Sequence, residues 1–338
     1  MRYNSDMITL YQAHTVYEGE RAILSALKKT EGRKIVIVPD PFTLALETSI
    51  LAGKGEEGTF DVEVMSFARL AAVALGDKLG ECLSPAGCVM LMEKAVSKSE
   101  LSVYGKVART PGFAAEVYAA ITAIRNSGYS CEALESVAGD LPEYVRKKTE
   151  DIVTLYRGYL GALGEREDST TRLEALVAAI SEGSALSEAH FFVADHFDFN
   201  AKQLEVLKAL MANAASVSVA VADHGGSENR RVYPSRTFEK LIQAAKESGR
   251  TLQVVPVKSD LPADKRLIAD TMFSYGKRTG KTKKVYIAEA KDLEEEVTLL
   301  ATEIVRLVRK EGLRYRDVAV ITPDFTGYLP YLERIFSY

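Results

Sequence analysis

The chain has 338 residues, 47% of them hydrophobic, which is enough for a full core and, by length, for about two domains of ~150 residues; a disordered tail is excluded. Lysine and arginine number 43 against 47 aspartate and glutamate, so the formal net charge is -4 and any polyanion would have to be held by a local patch rather than by the whole surface. The three cysteines, Cys82, Cys88 and Cys131, are odd in number, have no CxxC spacing and no histidine at ligand spacing, and so predict neither a disulfide framework nor a zinc site.

The opening MRYNSDMITLYQ lacks an apolar run of signal-peptide length, and no stretch reaches the ~18 apolar residues of a membrane span, so a cytoplasmic chain is expected. ITLYQ reads as a first strand, GERAILSALKKTEG as a helix, KIVIVPD as a buried strand, Pro41 to about Ala52 as a second helix, and VEVMSF as a third strand. That interval predicts βαβ units and a parallel sheet. From about Ser66 to Leu186 helical periodicity takes over, with Ser84 and Pro85 as an N-cap and first-turn pair, and Gly112 and Gly128 bracketing the next helix.

The α/β pattern resumes with the strand HFFVADHF, the helix NAKQLEVLKALMANA, the strand SVSVAVAD, the helix SRTFEKLIQAAKESG and the strand LQVVPV. Beyond Lys284 the strand KVYIAEA, the helix DLEEEVTLLATEIVRLVRKEG and the strand RYRDVAVITPD repeat the theme. The predicted fold is α/β: a RecA-like (P-loop NTPase-like, superfamily-one helicase-like) parallel sheet domain from residues 1–66 and 187–284, a helical insertion at 67–186, and the beginning of a second RecA-like domain at 285–338.

Such a domain would bind ATP through GxxxxGK[ST] after its first strand, where backbone N–H groups surround the phosphates and a lysine reaches the β and γ oxygens. Here that turn reads QAHTVYEG, with Tyr17 and Glu18 where the lysine and hydroxyl would stand. The acidic pair expected at the end of the strand after the helical block is reduced to Ala194 and Asp195, so one metal-positioning acid is missing. His196 beside Asp195 does not make a dyad, because neighbours on a strand point to opposite faces. GKRTGKT at Gly276–Thr282 is one residue too short for a phosphate loop and follows a helical segment instead of a strand, so it reads as a basic loop. No GxSxG, HExxH or paired-carboxylate nuclease cluster is present, and no catalytic residue is assigned. An ATPase with an unorthodox phosphate site stays as a separate possibility.

KIVIVPDPFTLALE, VEVMSFARLA, VADHFDFNAKQLEVLKAL and EEEVTLLATEIVRLVRKEGLRYRDVAVITPDFTGYLPYLERIF, in that order from end to end, resemble the B subunit of the bacterial AddAB/RexAB ATP-dependent helicase-nuclease. The resemblance implies the N-terminal helicase-like half of such a subunit, which guides single-stranded DNA and recognises a recombination hotspot during double-strand-break repair, while an A subunit powers translocation. It also implies that DNA cleavage, magnesium and an iron–sulfur cluster belong to a nuclease domain outside this sequence. By resemblance Thr43, Phe67, Arg69 and, more weakly, Phe199 contact DNA; the ends of parallel strands form a rim where an aromatic can stack on a base and an arginine can meet phosphate. Phe67 reads equally well as core, and Arg69 as half of a surface ion pair.

Three departures from the family pattern stand out: the turn QAHTVYEG, Pro41 where a glutamine is usual, and Pro323 where an arginine is common. Between Asn229 and Lys284 fourteen basic residues face five acidic ones, a surplus that suits phosphate tracking or, equally, solvated helix faces. Two readings follow: a non-catalytic handler of single-stranded DNA, or a scaffold that docks the A subunit without touching DNA.

Overall fold

The computed structural model describes residues 7–54, 61–76, 82–183, 186–223, 236–271 and 285–337. Of these, residues 7–262 and 266–271 form one compact unit, and residues 263–265 with 285–337 another.

In the first unit the strands β1 (Met7–Ala13), β2 (Lys34–Ile37), β3 (Val62–Met65), β4 (His190–Val193), β5 (Ser216–Ala222) and β6 (Thr251–Pro256) make one sheet in the order β3-β2-β4-β5-β1-β6. Every pairing is parallel. β2 and β5 are buried along nearly their whole length, as strands covered on both faces must be.

The covers alternate with the pleat. Ile35, Ile37, Phe191 and Val193 face one layer, built from α3 (Phe67–Leu75), α8 (Ser169–Ser181), α9 (Ala201–Asn213) and α10 (Thr237–Glu247), whose Leu70, Leu176, Val206 and Leu241 complete that core. Val36, Val38, Phe192 and Ala194 face the other layer, where α1 (Val16–Leu27) and α2 (Thr43–Lys54) contribute Ile23, Leu27, Leu46 and Ile50. A short α11 (Ala263–Thr271) follows β6.

Between α3 and α8 lie α4 (Pro85–Lys98), α5 (Phe113–Asn126), α6 (Cys131–Ala138) and α7 (Glu143–Leu163), which enclose a core of their own around Met92, Ile121, Leu155 and Tyr159. Ser84 caps α4 with Pro85 in its first turn, as its sequence predicts. Asp151 on α7 clamps the loop between α4 and α5 by accepting the backbone N–H groups of Ser102 at 2.8 Å, Val103 at 2.8 Å and Tyr104 at 3.0 Å. Cys82, Cys88 and Cys131 are unpaired. The parallel sheet with a helical block between β3 and β4 is the RecA-like α/β arrangement the sequence predicts.

The second unit contains α12 (Leu293–Glu311) and α13 (Phe325–Phe336). Asp292 caps α12 through the N–H of Glu295 at 2.9 Å, and Tyr328 donates to Glu296 at 2.8 Å across the helix pair. The strands expected from KVYIAEA and RYRDVAVITPD do not form: residues 285–290 carry no regular structure, and 315–317 make a single tight helical turn. A strand exists by its ladder, and the apolar side chains meant for one stay in solvent, Ile287 being 96% and Ile321 92% exposed. Among the described residues no helix is long and apolar enough to cross a membrane.

Candidate functional site

Ligands of parallel sheets sit at the carboxyl ends of the strands, beside the switch in strand order. Here that rim holds the turn after β1. Gln12 donates its side-chain amide to Asp223 at 2.9 Å, and Thr15 then caps α1 in a reciprocal box: its hydroxyl accepts from the Glu18 N–H at 3.2 Å while its own N–H donates to Glu18 Oε2 at 3.1 Å. The other oxygen, Oε1, accepts the Ser259 hydroxyl at 2.7 Å and the Asp260 N–H at 3.1 Å. The side chain is buried, with Glu18 only 3% exposed.

In a P-loop protein this helix terminus offers its N–H groups to phosphate. In this chain a carboxylate is already there, and a second anion would meet its charge in a partly dry environment. Tyr17, by contrast, turns outward at 64% exposure, with the Arg21 guanidinium 5.9 Å from its ring centre. The first turn of α1 passes close to the sheet at Gly19, where an added Cβ would stand 3.1 Å from that of Ala220.

At the end of β4, Ala194 is fully buried and its N–H donates to the Ile37 carbonyl at 3.1 Å, so this position supplies no metal-binding oxygen. Two residues past β4, Asp195 has a φ of 60°, a left-handed value uncommon for a residue with a side chain. Burial pushes its carboxyl up to about 6, and the nearby charge of Glu20 on α1 adds to the rise. His196 packs between aromatic rings, 5.4 Å from Phe67 and 4.9 Å from Phe199 between centroids. Its Nε2 has no hydrogen-bond partner among the described residues, and burial lowers its pKa to about 4. A neutral imidazole in an aromatic slot is a packing element. Among the described residues no group of three or more metal-binding side chains converges.

Phe67 and Phe199 are 4% and 5% exposed and belong to the sheet core, with their rings 6.3 Å apart. Stacking on a base requires an open ring face, so in this conformation neither side chain offers one. Arg69, in the first turn of α3, is exposed and has no ion pair among the described residues. Thr43 is half-buried and its hydroxyl donates to the Asp40 carbonyl at 2.9 Å. Sequence reasoning missed Phe197, 73% exposed, and Phe42, 44% exposed. Because β2 lies between β3 and β4, the segments following these strands bring Phe42, Arg69 and Phe197 to neighbouring places along one rim. DHFDF itself does not separate Phe197 from Phe199: two phenylalanines two apart share a face only while a strand lasts, and β4 has ended at Val193, before the left-handed Asp195.

Within the described part of the basic region, residues 236–271, seven basic side chains stand against five acidic ones. One of them, Arg250, is committed to the carbonyls of Met211, Ala214 and Ala215. The rest of the surplus, and the GKRTGKT loop, lie outside the described residues.

A family model described as "ADDB, N-terminal" matches residues 18–270, three-quarters of the chain. The chain belongs to this ADDB N-terminal family. The ADDB match runs from Glu18 through the whole helical block to α11, and the second unit lies beyond it. Curated relatives extend further. The chain is 25% identical over 325 residues to the B subunit of the ATP-dependent helicase/deoxyribonuclease of Acetivibrio thermocellus, covering 90% of the chain and 28% of that protein. It is 25% identical over 347 residues to the protein of the same name from Clostridioides difficile (93% and 30% covered), and 28% identical over 324 residues to that of Listeria innocua (89% and 28% covered). The chain thus spans under a third of the length of these relatives.

Proposed function

We propose that this ADDB N-terminal chain is the non-catalytic, helicase-like part of an ATP-dependent helicase/deoxyribonuclease B subunit, which handles single-stranded DNA beside an A subunit during double-strand-break repair and recombination in the cytoplasm. The observation that carries the reading is the pairing of a phosphate position filled by the chain's own Glu18 with an open rim beside it, where Phe42, Arg69 and Phe197 offer two aromatic faces and a cation. Aromatic faces with an arginine suit single strands, whose bases can unstack onto them. Cleavage, with its magnesium and iron–sulfur cluster, is assigned to no residue of this sequence: three dispersed cysteines cannot supply the four thiolates such a cluster needs.

The domain reading is part of the proposal. Residues 1–66 and 187–284 make the RecA-like body, 67–186 the helical insertion, and 285–338 a second domain.

Fluorescence anisotropy with a labelled single-stranded oligonucleotide at low and moderate salt tests the DNA reading. Binding that weakens as salt rises is expected, since phosphate contacts release counterions. Absence of binding at low salt would favour the second reading, a scaffold that docks the A subunit only, to which the burial of Phe67 and Phe199 lends support.

A further inference from the structure

The strap Val257–Leu261, which leaves the end of β6, is tied down more firmly than a surface loop requires. Its first residue extends the sheet ladder, with the Val257 N–H donating to the Gln12 carbonyl at 2.8 Å. Its middle is held by Glu18, whose Oε1 receives both the Ser259 hydroxyl and the Asp260 N–H. The Leu261 N–H turns back onto Ser259 Oγ at 3.3 Å, and Arg266 donates to the carbonyls of Ser259 at 3.1 Å and Leu261 at 3.0 Å. Arg21 and Asp260 add an exposed ion pair over the top.

We propose that Glu18 acts as a tethered anion in place of a nucleotide phosphate, holding this strap shut on the N-terminus of α1. Three donors from two segments, the N–H of Thr15, the hydroxyl of Ser259 and the N–H of Asp260, converge on one carboxylate at the positive end of a helix. In nucleotide-driven switches a loop held by phosphate is released when the phosphate leaves. A carboxylate bonded to the backbone cannot leave, so the strap has lost that release step and stays in its closed arrangement at every nucleotide concentration. This device is independent of whether the rim binds DNA.

Hydrogen exchange of the 338-residue chain, read on peptides covering residues 257–262, tests it. Hydrogen bonds to a charged group contribute on the order of 1.5–3 kcal/mol, so Glu18→Ala should speed exchange of the Asp260 amide by about 10- to 150-fold. Glu18→Gln should fall between, and Thr251–Val255 in β6 should stay protected. Arg21→Ala, which removes only an exposed pair, should change little. Unchanged exchange in Glu18→Ala, or an equal rise across β6, overturns the proposal. If Glu18→Ala does not fold, Ser259→Ala decides, because it leaves the cap of α1 intact: faster exchange of Asp260 supports the latch, and unchanged exchange overturns it.

Discussion

Arg125 on α5 and Asp168 at the N-cap of α8 form an ion pair buried on both sides, with the Tyr159 hydroxyl donating to the same Asp168 oxygen at 2.8 Å. The other oxygen accepts the N–H groups of Thr170 at 3.0 Å and Thr171 at 2.9 Å. One carboxylate therefore joins the helical block to a helix of the sheet layer. Removing one partner of a buried pair leaves the other charge uncompensated, so Asp168→Ala should lower stability by about 3–5 kcal/mol in urea unfolding. Burial raises the Asp168 carboxyl, but the hydrogen bond from Arg125 and the N–H of Thr171 outweigh it and hold it below the usual range. Its stabilisation is then complete above the ordinary carboxylate value of about 4 and is lost as pH falls through the depressed one.

Asp195 and His196 give two opposed pH dependences from adjacent residues. With its folded pKa raised to about 6, Asp195 favours the fold fully below the unfolded value and loses that contribution as pH rises to 6. His196, lowered to about 4, contributes fully above its unfolded value of about 6.5 and loses it as pH falls toward 4. Each amounts to on the order of 3 kcal/mol, so the two slopes largely cancel in the wild-type chain. Thermal melts between pH 4 and 6.5 should show stability rising with pH in Asp195→Asn and falling with pH in His196→Leu.

Gly19 lets α1 pack closely on β5. A valine there would press on Ala220, whose Cβ lies 3.1 Å from the place its first side-chain carbon would take, and should destabilise by about 1–3 kcal/mol. Adding Ala220→Gly should recover part of that loss in the same chemical-denaturation assay.

Much of the first unit was legible because its signals are local. The change of hydrophobic period marks strands and helices, and Ser84–Pro85 announces a helix start. What failed depended on distant partners. KVYIAEA has strand composition but forms no ladder in the second unit. In sequence Glu18 stands only as a residue in the place of a phosphate loop's hydroxyl, whereas the two partners of its Oε1 lie 241 and 242 residues away. Phe199 and Phe197 are told apart only by the left-handed backbone of Asp195, which nothing in DHFDF declares.

That distinction separates rim from core by experiment. Phe197→Ala should weaken single-stranded DNA binding by roughly 5- to 150-fold, the 1–3 kcal/mol of one stacked base, with little change in melting temperature. Phe67→Ala should instead cost about 3–5 kcal/mol of stability by leaving a cavity between α3 and the sheet. Loss of DNA affinity in neither variant would point to the scaffold reading.

Thermal unfolding with and without millimolar ATP and magnesium tests the filled phosphate position most directly. A ligand bound only to the native state at a hundred times its dissociation constant would add about 2.7 kcal/mol and raise the melting temperature by several degrees. With the Glu18 carboxylate seated against Thr15, Ser259 and Asp260, no shift is expected; a dose-dependent rise would contradict it.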